Sequence, residues 1–327
     1  MRKLVGRFIK VILIVCAAFI IYVFWDNNRV KLVEEDIVLE QLPSQFDGFT
    51  ILQLTDLHEK NFGRGQKRLL KAINSIDYDV IVMTGDMMNT PDSTHVEPFY
   101  TLLEGIDDKE HAYFVRGNDD PPSYELEPEF GKSPFIKGVE KRGVTFLESV
   151  MSIEKDDAHI HFVNFELAII KGPEHIGKIN GTDQLDYVED ARYKAYQGAR
   201  WEEFDMNVFS EDVVIALNHY PVVDERVDYI QGDAKTEWRD IDLILAGHYH
   251  GGQYRLPFVG ALFVPEPWYE PNQLFPPQDR VKGLWEYNGT QQYVSAGLGS
   301  SDAIQLLKFR LFNPPEINLL KLKSDGK

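Results

Sequence analysis

Five predicted β-strands end in side chains of the kinds that bind metal ions. The strands are expected at 49–55, 78–84, 111–116, 213–217 and 241–245, and each runs directly into a short polar cluster. Because sites in α/β sheets form at the carboxyl ends of strands, we expect these clusters to meet. The clusters are Asp56-Leu57-His58, Gly85-Asp86, Gly117-Asn118-Asp119-Asp120, Asn218-His219 and Gly247-His248-Tyr249-His250.

The composition and spacing of these clusters favour metal binding over ordinary turns. Asp56 and His58 lie two residues apart, as do His248 and His250. In an extended segment, both side chains of such a pair leave the backbone on one side. Carboxylate, imidazole and amide ligands together suit manganese, iron or zinc.

The other histidine residues lack this context. His159 and His161 share the spacing but lie inside a predicted strand with no neighbouring glycine or carboxylate, and we interpret them as part of a strand face. His95, His111 and His175 stand alone in the sequence and are predicted to be surface residues.

The order of the predicted elements indicates an α/β fold of stacked sheets covered by helices. Helices expected at 66–76 and 96–106 alternate with the first strands, whereas strands follow one another after about residue 143. The later strands are expected at 144–147, 159–165, 213–217, 241–245, 292–295 and 305–311. This order does not fit a barrel of eight equal units.

In order and spacing, the five clusters resemble those of the calcineurin-like metallophosphoesterase superfamily. The longer stretches 53–58, 247–253 and 294–299 are similar to its bacterial membrane-anchored phosphodiesterase branch, and the resemblance runs from about residue 48 to 322. The resemblance implies a four-layer α-β-β-α sandwich. It also implies a phosphoester hydrolase whose dinuclear centre activates hydroxide for attack on phosphorus.

The resemblance further implies a role for each cluster residue. Asp86 would bridge two divalent cations, whose identity stays open among manganese, iron and zinc. The implied ligands are Asp56, His58 and His250 for one metal, and Asn118, His219 and His248 for the other.

Position 119 departs from the pattern of this superfamily. A histidine usually follows the ligand asparagine, where it contacts the phosphate and can protonate the leaving group, but here Asp119 follows Asn118. A carboxyl group with a pKa of about 4 is mostly ionised at pH 7, and nearby cations lower its pKa further. We therefore expect Asp119 to be a poor acid, and the sequence leaves open whether it replaces or abolishes the acid role.

The first 28 residues have the composition of a membrane anchor. Residues 8–25 are apolar except for Lys10, and as a helix they span about 27 Å of a bilayer core that is roughly 30 Å thick. Four basic residues lie at 2–10, so the positive-inside rule predicts a cytoplasmic tail and a catalytic domain on the extracytoplasmic side of the cell membrane. The alternatives are a cleaved or lipidated signal segment and a buried helix; no small-residue cleavage site follows the run.

The remaining chain is predicted to form one domain. Residues 29–47 are expected to be a connector and 48–327 the metallophosphoesterase domain. Within this domain, residues 172–210 are polar and aromatic without clear periodicity. They are interpreted either as a surface insertion or as a cap over the site.

Charge and cysteine content restrict the partners. The chain has 52 Asp and Glu against 34 Lys and Arg, for a net charge of −18, which argues against a nucleic-acid-binding surface. Its single cysteine excludes a disulfide framework and a zinc site built on cysteine. The expected partners are a phosphoester substrate and the membrane, and an anchor would keep lipid-linked substrates within reach.

The leading hypothesis is a membrane-anchored, metal-dependent phosphoesterase that acts on phosphodiester or pyrophosphate bonds. The alternative is a metal-binding sensor or scaffold with little turnover on the same fold. Asp119 motivates this alternative, and the intact set of implied metal ligands opposes it.

Overall fold

Two six-stranded β-sheets form the centre of the protein in a computed structural model that describes residues 2–178, 185–202, 207–265, 274–301 and 308–325. Across the first sheet the strands are β1 (Lys31–Leu39), β16 (Glu316–Ser324), β2 (Thr50–Leu54), β3 (Val80–Thr84), β4 (Ala112–Val115) and β7 (Thr145–Phe146). Across the second they are β14 (Gly283–Tyr287), β15 (Thr290–Val294), β11 (Leu243–Ala246), β10 (Val213–Leu217), β9 (Ala158–Asn164) and β8 (Met151–Lys155). Two short ribbons pair β5 (Tyr124–Glu125) with β6 (Gly131–Lys132) and β12 (Arg255–Leu256) with β13 (Gly260–Ala261).

Alternate residues of the central strands face opposite layers of the fold. In β3, Val80 and Val82 pack between the two sheets, whereas Ile81 and Met83 pack against the helices that cover the first sheet. The residues of β10 alternate in the same way between the central layer and the helices on the second sheet. Strands that are buried on both faces need such continuous apolar sequences.

Helices cover the outer face of each sheet. Against the first sheet pack α2 (Lys67–Ile73), α3 (Glu97–Gly105) and α4 (Pro134–Glu140). Against the second pack α5 (Phe165–Ala168), α7 (Val208–Glu211) and α8 (Asp224–Gly232). The other helices are α1 (Arg2–Asn28) and α6 (Ala191–Glu202). The architecture is therefore the four-layer α-β-β-α sandwich, which confirms the predicted fold class.

The prediction of a connector at 29–47 is wrong, because most of this segment belongs to the first sheet. Strand β1 pairs in parallel with β16 over its whole length, from Lys31 opposite Glu316 to Leu39 opposite Ser324. Ile37 is fully buried, while charged residues occupy much of the remaining strand, as is common on an exposed sheet edge. The sequence gives no local signal for this strand because its partner lies at the other end of the chain.

The strand predicted at 305–311 lies partly outside the described part, which lacks residues 302–307. Within 308–311 the structure has a single bridge, between Leu311 and Tyr254. The last strand of the described part is β16. The run at 305–311 alternates apolar and polar residues, but Arg310 within it is fully buried and bonds to loops rather than to a strand.

Helix α1 is long and apolar enough to cross a membrane, and its last turns dock on the sandwich. Asn27 exchanges two hydrogen bonds of 2.7 Å with the backbone of Arg310. The rings of Phe19 and Tyr22 lie 6.4 and 5.5 Å from the ring of Phe312. The helix end is therefore fixed to the segment just before β16.

Candidate metal centre

The carboxyl ends of the central strands of both sheets meet at one place. Strands β2, β3 and β4 are parallel to one another, and β10 is parallel to β11. The loops that follow them carry the clusters predicted from the sequence. Two groups of buried side chains could each hold a metal ion, with one ligand atom per residue and all ligand atoms within 4.8 Å of one another. These groups are Asp56, His58 and His250, and Asp86, His219 and His248.

Asp86 lies between the two groups. Its Oδ2 atom is 3.1 Å from Nε2 of His219 and 3.6 Å from Nε2 of His58. His219 Nε2 is in turn 3.2 Å from Nδ1 of His248. The Asp86 carboxylate therefore lies within 3.6 Å of an imidazole from each group, and its role as a bridge stays a prediction.

The loop after β4 places Asn118 and Asp119 beside these groups. The backbone N–H of Asp119 donates to Oδ1 of Asp86 at 2.8 Å, and Nδ2 of Asn118 donates to Oδ1 of Asp119 at 3.1 Å. Oδ2 of Asp119 is 3.7 Å from Nδ1 of His58. The structure thus brings Asp119 next to the first group as well as to Asp86.

Most of the ligand residues have left-handed backbone conformations. Asp and His are among the few residue types other than glycine that adopt positive φ with some frequency, usually at a cost of about 1–3 kcal/mol each. The surrounding loops must therefore hold these conformations in place. The φ values are 52° at Asp56, 46° at His58, 55° at Asp86, 65° at His248 and 49° at His250.

Ionisation in the ligand set follows from burial and from the charges within it. Burial lowers the pKa of His248 to about 3, helped by His219, and it holds the pKa of His250 well below its usual range. Both imidazoles are therefore neutral at pH 7 and retain a lone pair for a metal. Although burial acts in the opposite direction, the Asp86 carboxylate raises the pKa of His219 to about 10.

His219 and Asp56 indicate that protons and cations compete for this site. His219 at neutral pH carries a proton beside Asp86, and burial raises the pKa of Asp56 to about 7. A metal ion would take the place of these protons, because ligands bind metals in their deprotonated forms.

The donor set fits divalent cations. Among the described residues, Oδ1 of Asn118 and Nδ1 of His250 are buried side-chain atoms without a hydrogen-bond partner. Buried polar atoms are rarely left unpaired unless an ion or a ligand satisfies them. Together with the two ligand groups, these atoms provide the carboxylate, imidazole and amide donors that manganese, iron and zinc accept.

Asp120 is a further residue of this site, for which the sequence predicts no separate role. Its fully buried carboxylate accepts hydrogen bonds from the backbone N–H groups of Asp86, Met87, Met88 and Gly117, at 2.8 to 3.0 Å. It therefore joins the loop after β3 to the loop after β4. Its position directly after Asp119 could have suggested a role, but nothing in the spacing distinguishes it from a turn residue.

Two glycines allow the same loops to approach each other. A Cβ atom on Gly85 would lie 2.5 Å from the backbone nitrogen of Gly117, and one on Gly117 would lie 2.2 Å from Oδ1 of Asp86. Neither space admits a side chain, so both glycines in the motifs are required by the close packing of the backbone.

Arg310 supports the loop that carries His250. Its guanidinium donates to the backbone carbonyls of His250, Ala296, Gly299 and Asn313, at 2.6 to 3.1 Å. Burial lowers the pKa of Arg310 to about 10, so it remains charged at pH 7. Because Arg310 also bonds to Asn27 through its backbone, one residue connects the ligand loop to the end of helix α1.

The segment 172–210 contributes to the site on the side of the second group. A cavity of about 170 Å³ is lined by Tyr187, Tyr193 and Gln197 from this segment and by Asn118 and His219. Residues 179–184 and 203–206 lie outside the described part. The described part thus lines the site, and its role as a cap that selects substrates stays a prediction.

The interpretation of His159 and His161 as part of a strand face is confirmed. Both lie in β9, and His161 contacts Ser152 at 2.8 Å and Asp212 at 3.1 Å, away from the two ligand groups. His95, predicted to be a surface residue, is exposed and contacts Glu59 at 3.1 Å.

The sequence of this chain is similar to those of known proteins. The sequence model of the calcineurin-like phosphoesterase family matches residues 49–252. The metallophosphoesterase YkuE of Bacillus subtilis is 24% identical over 310 residues, which are 92% of this chain and 88% of that protein. A transmembrane protein with a metallophosphoesterase domain from Danio rerio is 26% identical over 73% of this chain and 48% of its own length. The phosphodiesterase YaeI of Escherichia coli is 36% identical over 94 residues, 28% of this chain and 29% of that protein.

Asp120→Asn tests the role of Asp120 in joining the two loops. In the wild type, the backbone N–H groups of Asp86 and Gly117 both donate to Oδ2 of Asp120. An asparagine has only one acceptor oxygen, and its NH₂ group in the place of Oδ2 would face these two donors without accepting from them. We expect the free energy of unfolding to fall by about 2 kcal/mol, which lowers Tm by about 3 °C for a chain of 327 residues. Thermal unfolding in detergent micelles measures this change. Asp119→Asn is the matched control and should leave Tm close to wild type; an unchanged Tm in Asp120→Asn would contradict the assignment.

Proposed function

This chain belongs to the calcineurin-like phosphoesterase family, and we propose that it hydrolyses phosphodiester or pyrophosphate bonds with two divalent cations. Asp56, His58 and His250 would hold one cation, and Asn118, His219 and His248 the other. The observation that carries the proposal is the position of Asp86, whose carboxylate lies within 3.6 Å of an imidazole from each group.

The cations, when bound, supply an activated water and offset the charge that grows on the phosphate oxygens. The residues of the chain hold the candidate metal ligands in position. Asp86 keeps the two groups at a distance that one carboxylate spans, while Asp120 and Arg310 hold the loops that carry Asp86 and His250. Such support from outside the ligand set keeps ligands in place before a metal or substrate binds.

The expected preference for pyrophosphates and aryl esters follows from Asp119. The carboxylate lies beside His58 and Asp86, where a phosphate bound between the groups would meet it. An ionised carboxylate does not protonate a leaving group, so substrates whose leaving groups depart without a proton are favoured. Phosphate groups with a second pKa near 6 and aryl oxides fit this requirement, and one relative carries the name phosphodiesterase.

Helix α1 is proposed to anchor the enzyme in the cell membrane as a single span. The basic residues at its start favour an N-terminus in the cytoplasm and a sandwich on the extracytoplasmic side, by the positive-inside rule. Because the end of α1 is bonded to Arg310, the anchor would hold the metal centre close to the bilayer and within reach of lipid-linked substrates.

Asp86→Ala tests the metal centre and the activity together. Without the shared carboxylate, we expect the content of bound metal to fall and hydrolysis of bis(p-nitrophenyl) phosphate in Mn²⁺ to drop by at least about 10³-fold. Elemental analysis and initial rates measure both. Asp79→Ala is the matched control. Asp79 lies directly before the first residue of β3, whereas Asp86 follows the last one, so this variant should retain metal and activity. Two tightly held metals in Asp86→Ala would contradict the ligand assignment. If the wild-type protein binds metal but does not hydrolyse the ester, the alternative hypothesis of a metal-binding sensor or scaffold is favoured.

Asp119→His tests the absence of a general acid. An imidazole at this position can protonate a poor leaving group, and general acid catalysis contributes about 10² to 10⁴ in rate. We expect wild type to cleave pyrophosphate and aryl esters far better than alkyl diesters, and Asp119→His to narrow that difference. The measurement is kcat/KM for a series of diesters with rising leaving-group pKa. The same dependence in both proteins would exclude an acid role for position 119.

Protease added to intact protoplasts tests the orientation. Cleavage near residue 30 should release a soluble fragment that retains β1 and hydrolyses bis(p-nitrophenyl) phosphate. Mass spectrometry of the released fragment gives its first residue. Protection of the sandwich until the protoplasts are lysed would show that the domain lies in the cytoplasm.

A further inference from the structure

We infer that the substrate is a phosphoester carried by a membrane lipid, and that its hydrocarbon chain lies in a pocket between helix α1 and the metal centre. This inference rests on the proposed function and names the substrate class for the same site. It follows from the walls of the pocket, from its continuity with the membrane-spanning surface, and from the contacts that fix α1 to the ligand loop.

The pocket has a volume of about 720 Å³, within the range of about 300–1,000 Å³ that is common for ligand sites. One wall is formed by Phe19, Ile20, Val23 and Phe24 of α1. The opposite wall includes Phe309 and reaches His58, a member of the first ligand group. An apolar chamber therefore ends at a candidate metal ligand.

The α1 wall is continuous with the surface that would face lipid. Ile20 and Phe24 line the pocket and are 67% and 72% exposed, and both lie within the part of α1 that is apolar enough to span a bilayer. A hydrocarbon chain could pass from the bilayer into the pocket along this wall without crossing water. A substrate without an apolar chain would gain no binding energy from contact with this wall.

The end of the pocket near the metal centre is polar and suits an anionic group. Lys60 and Lys308 line it; Lys60 donates to the carbonyl of Leu298 at 3.1 Å and Lys308 to Oδ1 of Asn89 at 2.8 Å. Glu59 also lies there, and its carboxylate accepts hydrogen bonds from Asn89 and Ser93. The amino groups of both lysines line the same pocket as His58, where the phosphate of a substrate would meet these hydrogen-bond donors.

The pocket has a fixed position relative to the metal centre. The Asn27–Arg310 hydrogen bonds attach α1 beside the residues that form the opposite wall, and the Arg310 guanidinium reaches the carbonyl of His250. The cavity beside Asn118 and His219 lies at the other ligand group. A phosphoester bound between the groups could therefore place its lipid chain in the pocket beside α1 and its other substituent toward this second cavity.

Two substrates that differ only in chain length test this inference. Ethyl p-nitrophenyl phosphate and hexadecyl p-nitrophenyl phosphate release the same leaving group, and the full chain is assayed in proteoliposomes with Mn²⁺. We expect kcat/KM to be at least about tenfold higher for the hexadecyl ester, because burial of several methylenes stabilises its complex. If neither ester is cleaved, the proposed function fails. If both are cleaved equally well, only the present inference fails.

Ile20→Trp and Ile21→Trp separate pocket binding from partitioning into the vesicles. Ile20 and Ile21 are neighbours with exposures of 67% and 68%, but only Ile20 lines the pocket. We expect Ile20→Trp to reduce the preference for the hexadecyl ester by at least about fivefold, and Ile21→Trp to keep it. Equal effects of the two substitutions, or none in either, would show that the preference arises from the bilayer rather than from the pocket.

Discussion

The structure depends on the stabilisation of three buried carboxyl groups at the candidate metal centre. Asp56, Asp86 and Asp120 are almost completely buried within adjoining loops, where isolated ionised groups are strongly disfavoured. Each one has a different source of stabilisation. Asp120 accepts four backbone hydrogen bonds, Asp86 lies beside a His219 imidazole whose pKa it raises, and Asp56 accepts from the backbone N–H of His248. A fold that gathers three acids in this way offers a site that cations could occupy.

The meeting of the polar clusters at one place could be predicted from the sequence because their signals are local. Each cluster follows a strand within two or three residues, and the strands are apolar enough to be found individually. Because the carboxyl ends of parallel strands lie at the same edge of a sheet, the clusters that follow these strands are expected to lie close together. The sandwich could be predicted for the same reason, together with the resemblance of the clusters to a known superfamily.

The parts that could not be predicted depend on contacts between distant residues. Strand β1 pairs with β16 across almost the whole length of the chain, so no local pattern distinguishes it from a connector. Arg310 is one of many arginines until the fold surrounds it with carbonyl groups. The pocket beside α1 exists only because the first helix packs against residues just before the last strand. These are the features that relate the membrane-spanning segment to the site.

The parallel pairing of β1 with β16 has a practical consequence for attaching the protein to a surface. Both strands begin at the edge near the metal centre, where Glu316 accepts from the backbone of Ala296, and both run away from it for nine residues, or about 30 Å. The end of β16 at Ser324 therefore lies on the face opposite to α1. An immobilising linker placed there would orient the molecules uniformly, with the helix and the candidate metal centre presented to an applied bilayer.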